Sequence, residues 1–293
     1  SEAHRVSAVQ AILMHLKISD EEKMFDAVKP HLSQFDGTID TLCLRSEIST
    51  ENELFVLDNV DENAAVRICG GIAHQYLEKQ MPHELREKWE NAILSNSTKD
   101  YNTTHELEHL LTTNTEMVLP WFKSKLNLKH EDKYGFFFHI DNIAERTIEY
   151  LSNEDKKELL SLMDSSDSNY SLVAILVDGN PERYKVLLQN QDAKVLHLKP
   201  LSIYADNWVD FAQAALEAGY TKEEIKKRSF HFDFGWTGNA SDMWAGRKAD
   251  VQAHLQKTDN PDLIAIIEEC ITNIEASIER AKRDERDEEV NGI

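Results

Sequence analysis

The chain has 293 residues, of which 41% are hydrophobic and 29% charged, a balance that is typical of a folded protein rather than a disordered one. Its 53 acidic and 32 basic side chains give a formal net charge of -21 at pH 7, which argues against nucleic acid and anionic membranes as general partners. The longest apolar run, residues 172–177, is far shorter than the ~20 residues that span a bilayer. Cys43, Cys69 and Cys270 lie in apolar sequence without a C-x-x-C spacing, as reduced core thiols do, so we expect a cytoplasmic protein.

Helix is the predicted structure along most of the chain, because glycine and proline are few and strand-like alternation is nearly absent. Ser or Thr followed three residues later by Glu forms a capping box that starts a helix. Such pairs occur at Ser19 and Glu22, Thr50 and Glu53, and Thr221 and Glu224. Gly219 is predicted to end the helix that precedes Thr221.

Two further amphipathic helices are indicated by apolar residues at three- and four-residue steps. The first runs from 134 to 151, with its stripe at Phe136, Ile140, Ile143, Thr147 and Tyr150 or Leu151. The second has its stripe at Leu263, Ile267, Cys270, Ile274, Ile278 and Ala281. The polar segment 95–102 is the only linker-like stretch. We expect one helical array over 1–293, with 1–95 and 103–293 as the alternative subdivision.

Two segments, 61–72 and 259–270, resemble each other. Each places a turn residue before a helix, and their apolar positions correspond at Val66 and Ile264, Ile68 and Ile266, and Ile72 and Cys270. A weaker third candidate is Asn180-Pro181-Glu182 before Tyr184, Leu187 and Leu188. These segments resemble the second helix of HEAT and armadillo-like repeats. The resemblance implies an all-α protein, an α-solenoid whose curved surface binds proteins or peptides without catalytic residues. The uneven spacing keeps an irregular stacked array of helical hairpins as the alternative.

One motif, His105-Glu106-Leu107-Glu108-His109, matches the H-E-x-x-H pattern of zinc hydrolases. In that interpretation His105 and His109 hold zinc and Glu106 is the catalytic base, with a third ligand from Glu116, Glu131 or Glu145. Against it, Thr103 and Glu106 form another capping box, and both histidines lie about 160° from Leu107, toward solvent. We therefore predict an exposed helix start without metal, cofactor or catalytic residue, and keep zinc as the alternative.

The segment from Phe230 to Trp244 alternates aromatic and polar residues, which suits an extended stretch with one aromatic face. The favoured interpretation is packing between helices, before Ser241 caps the next helix. The alternative is a recognition pocket, with candidate binding residues Phe232, Phe234, Trp236, Trp244 and Arg247.

Two functions from different classes follow. The first is a non-enzymatic protein-protein interaction scaffold that binds a basic protein surface, since P-loop, dinucleotide, serine-hydrolase and kinase signatures are absent from the sequence. Because the chain begins at Ser1, we also allow that it is a region of a larger protein. The second is a zinc-dependent hydrolase that uses residues 105–109.

Overall fold

The computed structural model describes residues 49–77, 79–96, 101–126, 143, 146–165, 170–202, 207–228 and 239–291. Within these ranges every regular element is a helix and there is no strand, which confirms the predicted all-α class. The α-helices are α1 (Thr50–Asn59), α2 (Glu62–Gln75), α3 (His83–Ser95), α4 (Tyr101–Thr113), α5 (Val118–Leu126), α6 (Asn153–Ser161), α7 (Tyr170–Val177), α8 (Pro181–Gln189), α9 (Trp208–Glu217), α10 (Lys222–Lys226), α11 (Ala240–Leu255) and α12 (Pro261–Asn291). Short 3-10 helices lie at Thr115–Met117, Ile148–Tyr150, Gln191–Leu196 and Pro200–Ser202.

The chain divides into two compact units, an N-terminal unit of residues Ser1–Ser152 and a C-terminal unit of residues Asn153–Ile293. In the N-terminal unit, α2 packs against α1, α3 and α4, while α3 also packs against α1 and α5. Alternate helices therefore contact each other, with α1, α3 and α5 forming one row and α2 and α4 the other. The core side chains of this unit include Val66, Ile68, Ile72, Leu85, Leu111, Trp121 and Phe122.

In the C-terminal unit, α6 packs against α7 and α8, and α8 packs against α9. Tyr184 of α8 and Phe211 of α9 meet edge to face, with ring centroids 4.9 Å apart. The long helix α12 packs against α9, α10 and α11. Its predicted apolar stripe is confirmed for Leu263, Ile267, Cys270, Ile274 and Ala281, which are buried, whereas Ile278 is half-buried.

The end of α9 and the start of α10 agree with the sequence prediction. Thr221 and Glu224 form the complete capping box at the start of α10. Gly219 has a φ of +92°, and the amides of Gly219 and Tyr220 donate to the carbonyls of Leu216 and Ala215. That pair of hydrogen bonds is the Schellman motif, so glycine at this position ends α9 as predicted.

Two predicted capping boxes are wrong. Helix α1 is capped by Ser49, one residue earlier than predicted, and Glu53 is buried, where it accepts a hydrogen bond from the Tyr76 hydroxyl. Helix α4 begins at Tyr101, so the buried Thr103 lies inside it and cannot be its N-cap. The box at Ser19 lies outside the described residues, as does most of the helix predicted for 134–151. At the end of that stretch, Ile148–Tyr150 form a 3-10 turn.

Each of the three repeat-like segments has a capping side chain in the turn before its helix. The side chains of Asp61 and Asn180 accept hydrogen bonds from the first amides of α2 and α8. At α12 the acceptor is Asn260, the second residue of the segment 259–270. Cys69 and Cys270 are buried and form no disulfide, whereas Cys43 lies outside the described residues. No helix in the described ranges combines the length and apolar character needed to cross a membrane.

A buried lysine joins alternate helices of the N-terminal unit. Lys125 of α5 has no solvent exposure, and its Nζ donates to the carbonyls of Leu94, at 2.8 Å, and Asn96, at the end of α3. Burial lowers the pKa of Lys125 to about 8, although the nearby Glu62 carboxylate acts in the opposite direction.

We predict that Lys125 makes this protein more stable as the pH rises above 8. Between pH 8 and the ordinary lysine value of 10.5, the unfolded chain keeps a proton that the folded chain has released, so the free energy of unfolding increases. The unfolding free energy of the wild type should therefore rise relative to that of Lys125→Met, by at most about 1.4 kcal/mol per pH unit. Urea titrations across this range measure it, with Lys123→Met as the control on the same helix. A difference that does not change with pH would contradict the prediction.

Candidate functional site

The two histidines of the H-E-x-x-H motif lie on α4, in the N-terminal unit. His105 and His109 are both exposed, and Leu107 is buried, so the helical phase predicted for this motif is confirmed. A catalytic zinc site needs a third protein ligand and a sheltered cavity. Within the described ranges no group of three or more His, Cys, Asp or Glu side chains has the spacing to hold a metal ion.

The glutamate of the motif has another structural partner. The Glu106 carboxylate lies over Gly70 of α2, and a Cβ added at Gly70 would be 1.9 Å from Glu106 Oε1. Glycine therefore allows α2 and α4 to approach each other with a carboxylate between them. Glu106 is half-buried in this helix contact, and the glycine inside α2 is explained by it.

Of the other acidic residues considered as zinc ligands, the described structure includes only Glu116. Glu116 lies 3.7 Å from Arg86, and Glu131 and Glu145 are outside the described residues. Glu108 forms an ion pair with Arg146. The geometry of α4 therefore places the motif on a solvent-facing helix whose carboxylates have packing and ion-pair partners.

The candidate binding residues of the aromatic segment are only partly described. Phe232, Phe234 and Trp236 lie outside the described residues. Trp244 and Arg247 lie on α11, one turn apart, and both are half-buried. Of the segment from Phe230 to Trp244, the structure describes residues 239–244, where α11 begins.

Polar contacts join α11 to α12. The prediction that Ser241 caps this helix is wrong, because the helix begins at Ala240 after Asn239. Instead, the Glu285 carboxylate accepts hydrogen bonds from the Ser241 amide, at 3.0 Å, and from its hydroxyl, at 2.7 Å. Lys248 and Glu275 add an ion pair at 2.6 Å, and Val251 is the only buried aliphatic side chain of α11. A carboxylate from α12 thus caps α11 across the helix pair.

A groove of about 630 Å³ runs between α11 and α12. Its lysines are already paired, Lys248 with Glu275 and Lys282 with Glu279. Apolar surface in the groove comes from Ala245 and Ile278. Asp242, which is exposed, adds one carboxylate without an ion pair in the described ranges.

A buried histidine in the C-terminal unit was not predicted as a site. His197 has 1% exposure, and its Nδ1 lies 2.6 Å from the Tyr220 hydroxyl while its Nε2 lies 2.7 Å from the Asn190 carbonyl. A carbonyl only accepts, so Nε2 donates to Asn190, whereas the Tyr220 hydroxyl can either donate to Nδ1 or accept from it. Desolvation lowers the pKa of His197 and favours the neutral imidazole, in which Nδ1 accepts from Tyr220. Both ring nitrogens are occupied, so this histidine ties α8 to the end of α9.

Sequence reasoning also missed a groove in the N-terminal unit, of about 540 Å³, where α1 and α3 end and α2 begins. Its apolar lining is Leu57, Val60, Ala65, Ala92 and Leu94, and its polar lining is Asp58, Glu62, Lys88, Asn91 and Ser95. Lys88 pairs with Asp58 across the groove edge. No local signal marks this groove, because its wall comes from three helices whose packing the sequence pattern does not specify.

No protein-family model matches the chain, and neither does any curated protein or solved structure. The likeness of 61–72 and 259–270 to HEAT and armadillo-like repeats therefore rests on their caps and apolar positions alone.

We predict that His105 and His109 do not hold zinc. Both imidazoles are exposed and Glu106 packs on Gly70, so the motif has neither shelter nor an oriented base. Elemental analysis of protein purified without chelator or histidine tag should give zinc well below one equivalent, and the same amount in His105→Ala. Stoichiometric zinc that disappears in His105→Ala, with peptidase activity that disappears in Glu106→Gln, would establish the hydrolase instead.

We predict that Glu285 stabilises the C-terminal unit at neutral pH and not in acid. Hydrogen bonds from Ser241 lower the pKa of Glu285 below its ordinary value, so its contribution is present above the unfolded pKa and is lost as the pH falls through the folded one. Glu285→Gln should lower the melting temperature at pH 7, and this difference should shrink toward pH 3. Glu279→Gln, one and a half turns earlier on α12, is the control. A difference that stays equal at both pH values would show that the charge plays no part.

Proposed function

We propose that this chain is a non-enzymatic protein-interaction module that binds a partner through a basic surface of that partner. The observation that carries the proposal is unbalanced surface charge. The net charge is -21, and several exposed carboxylates form no ion pair within the described ranges, among them Glu84, Glu87, Asp210, Asp250 and Glu268. A protein with such a field attracts basic surfaces over distances comparable with the Debye length.

The helix arrangement supports a module built from repeated helical pairs. Contacts between alternate helices, α1 with α3, α2 with α4, and α6 with α8, are those of a stacked array. We propose an α-solenoid-like stack for these helices, with HEAT-like segments at 61–72 and 259–270. Extended stacks present side chains along a row of helices, which suits protein recognition better than a single catalytic cleft.

The aromatic segment stays part of the proposal as a second recognition surface. Trp244 and Arg247 would contribute from α11, together with Phe232, Phe234 and Trp236. The buried thiols Cys69 and Cys270 suit a reducing compartment, so we propose the cytoplasm as the location. No observation in the described structure favours the zinc hydrolase, since Glu106 packs against Gly70.

The proposed function predicts association that slows with salt. Proteins captured with the intact chain at 0.1 M salt should contact it through basic surfaces, and their association rate should fall as the Debye length decreases from about 10 Å to 3 Å at 1 M. Surface plasmon resonance with the captured partner measures the rate. The charge-reversed variant Glu84→Lys with Glu87→Lys should associate more slowly at low salt. A partner with an acidic contact face and a salt-independent rate would refute the proposal.

A further inference from the structure

The turn between α7 and α8 holds an Asp-Gly pair in a left-handed backbone conformation. Asp178 has a φ of +41° and is the one non-glycine residue with a positive φ in the described ranges, and Gly179 follows with a φ of +62°. The Asn180 amide donates to the Val177 carbonyl at 2.9 Å, so residues 177–180 form a β-turn of type I′. Both central residues of the turn are exposed, so water reaches them.

The backbone nitrogen of Gly179 is placed to act as a nucleophile. It donates no hydrogen bond within the described part of the chain, whereas the amides of Asp178 and Asn180 both donate to backbone carbonyls. Glycine also has no side chain to hinder attack by this nitrogen. The electrophile is the carboxyl group of Asp178, which is 72% exposed and forms one ion pair, 3.6 Å long, with Arg183. A bond from the Gly179 nitrogen to Cγ of Asp178 closes a five-membered ring.

The left-handed conformation of Asp178 brings the nitrogen within one rotation of the carboxyl group. In that conformation Cβ lies close to the carbonyl oxygen of its own residue. A half-turn of the peptide group between Asp178 and Gly179 exchanges that oxygen for the Gly179 nitrogen. The same half-turn converts the turn from type I′ to type II′, in which ψ of Asp178 is about −120°. Both turn types keep the hydrogen bond from Asn180 to Val177, so α7 and α8 stay in place.

Few contacts oppose this rotation. The Asp178 carbonyl accepts one hydrogen bond in the described structure, from Nη2 of Arg183 at 3.4 Å, which is long for a hydrogen bond. The Gly179 carbonyl, which accepts from Asn207 at 2.7 Å, is not part of the rotating peptide group. The strained ψ is needed for ring closure in an unfolded chain as well, so it does not favour the unfolded state. The folded turn therefore leaves the pair reactive.

We propose that Asp178 and Gly179 form a succinimide and that this turn is a site of isoaspartate formation. The Gly179 nitrogen bonds to Cγ of Asp178, the bond from Cγ to the carboxyl hydroxyl breaks, and the amide proton leaves with that hydroxyl as water. Water then opens the ring at one of its two carbonyls. Opening at Cγ restores aspartate, whereas opening at the main-chain carbonyl gives isoaspartate, in which the main chain runs through Cβ and Cγ. Water is the only co-reactant of both steps.

Isoaspartate at this position destabilises the C-terminal unit. The main chain gains one carbon atom inside a tight turn between two packed helices. Arg183, with 7% exposure, contacts both the carboxylate and the carbonyl of Asp178, and both groups move when the main chain is rerouted. Loss of contacts by a buried guanidinium group is costly. The α7–α8 turn is therefore a position at which the protein ages.

Peptide mapping of the full chain tests the proposal. The protein is incubated for weeks in mildly acidic buffer, once folded and once with urea, and trypsin then releases residues 158–183. Electron-transfer dissociation distinguishes isoaspartate from aspartate at each position of this peptide. Isoaspartate at residue 178 should form in the folded protein within about tenfold of its rate in urea, since only weak contacts with Arg183 oppose the rotation. Asp164 in the same peptide is the control, and it should react much more slowly because Ser165 hinders the attacking nitrogen.

Two variants at residue 178 separate ring formation from other damage. Asn tolerates a positive φ and forms the same ring with loss of ammonia, so Asp178→Asn should yield isoaspartate faster than the wild type. Asp178→Gly suits the positive φ and has no carboxyl group. Its melting temperature should therefore stay constant during incubation, whereas that of the wild type should fall as isoaspartate accumulates. Circular dichroism before incubation checks that both variants fold.

The outcomes on the folded protein decide the proposal. Isoaspartate at residue 178 in urea but not in the folded wild type would overturn it, because the turn would then protect the pair. Equal amounts of isoaspartate at residue 178 and at Asp164 in the folded protein would overturn it as well. An equal fall in melting temperature for the wild type and Asp178→Gly would refute the destabilising effect.

Discussion

The stacking of alternate helices depends on how each helix end is satisfied when it is buried. In the N-terminal unit, the ammonium of Lys125 donates to the carbonyls that end α3, from two helices further along the chain. In the C-terminal unit, the side-chain amide of Asn190, at the end of α8, donates to the carbonyls of Leu160, Ser161 and Met163 at the end of α6. Both units thus place a donor from helix i+2 on the carbonyls of helix i. Without that donor, burial would leave polar backbone groups unsatisfied, so each contact fixes both position and register.

The features that were predictable are those decided by nearby residues. The Asx caps at Asp61 and Asn180, the capping box at Thr221 and the glycine at 219 each act within a few residues, and each is present. Glu53, Lys125 and Asn190 have partners 23 to 31 residues away, which no local pattern specifies. The capping box expected at Thr50 fails for this reason, because Glu53 accepts its hydrogen bond from Tyr76 and leaves the helix start to Ser49.

The histidine motif shows the same limit for a functional site. The spacing within residues 105–109 predicts that two imidazoles share one face of a helix, and in the structure they do. Whether the face meets a cavity depends on the helix packed against it, and here the packing contact takes Glu106 to Gly70. The α1–α3 groove presents the opposite case, since no motif marks it and its lining comes from helices that are separate in sequence. Only the folded arrangement therefore shows which side chains lie together.

The ion pairs of this acidic chain lie both between packed helices and within single helices. Some of the described pairs join helices that pack together, as Lys226 with Glu269 joins α10 to α12 and Lys88 with Asp58 joins α3 to α1. Others lie within one helix, as Arg86 with Glu90 does in α3 and Lys185 with Glu182 does in α8. Basic side chains are thus used both between and within helices, and exposed carboxylates such as Glu268 form no ion pair in the described ranges. Exposed pairs contribute little to stability, whereas a net charge far from zero destabilises the compact state through self-repulsion, so burial of the apolar core has to offset that repulsion.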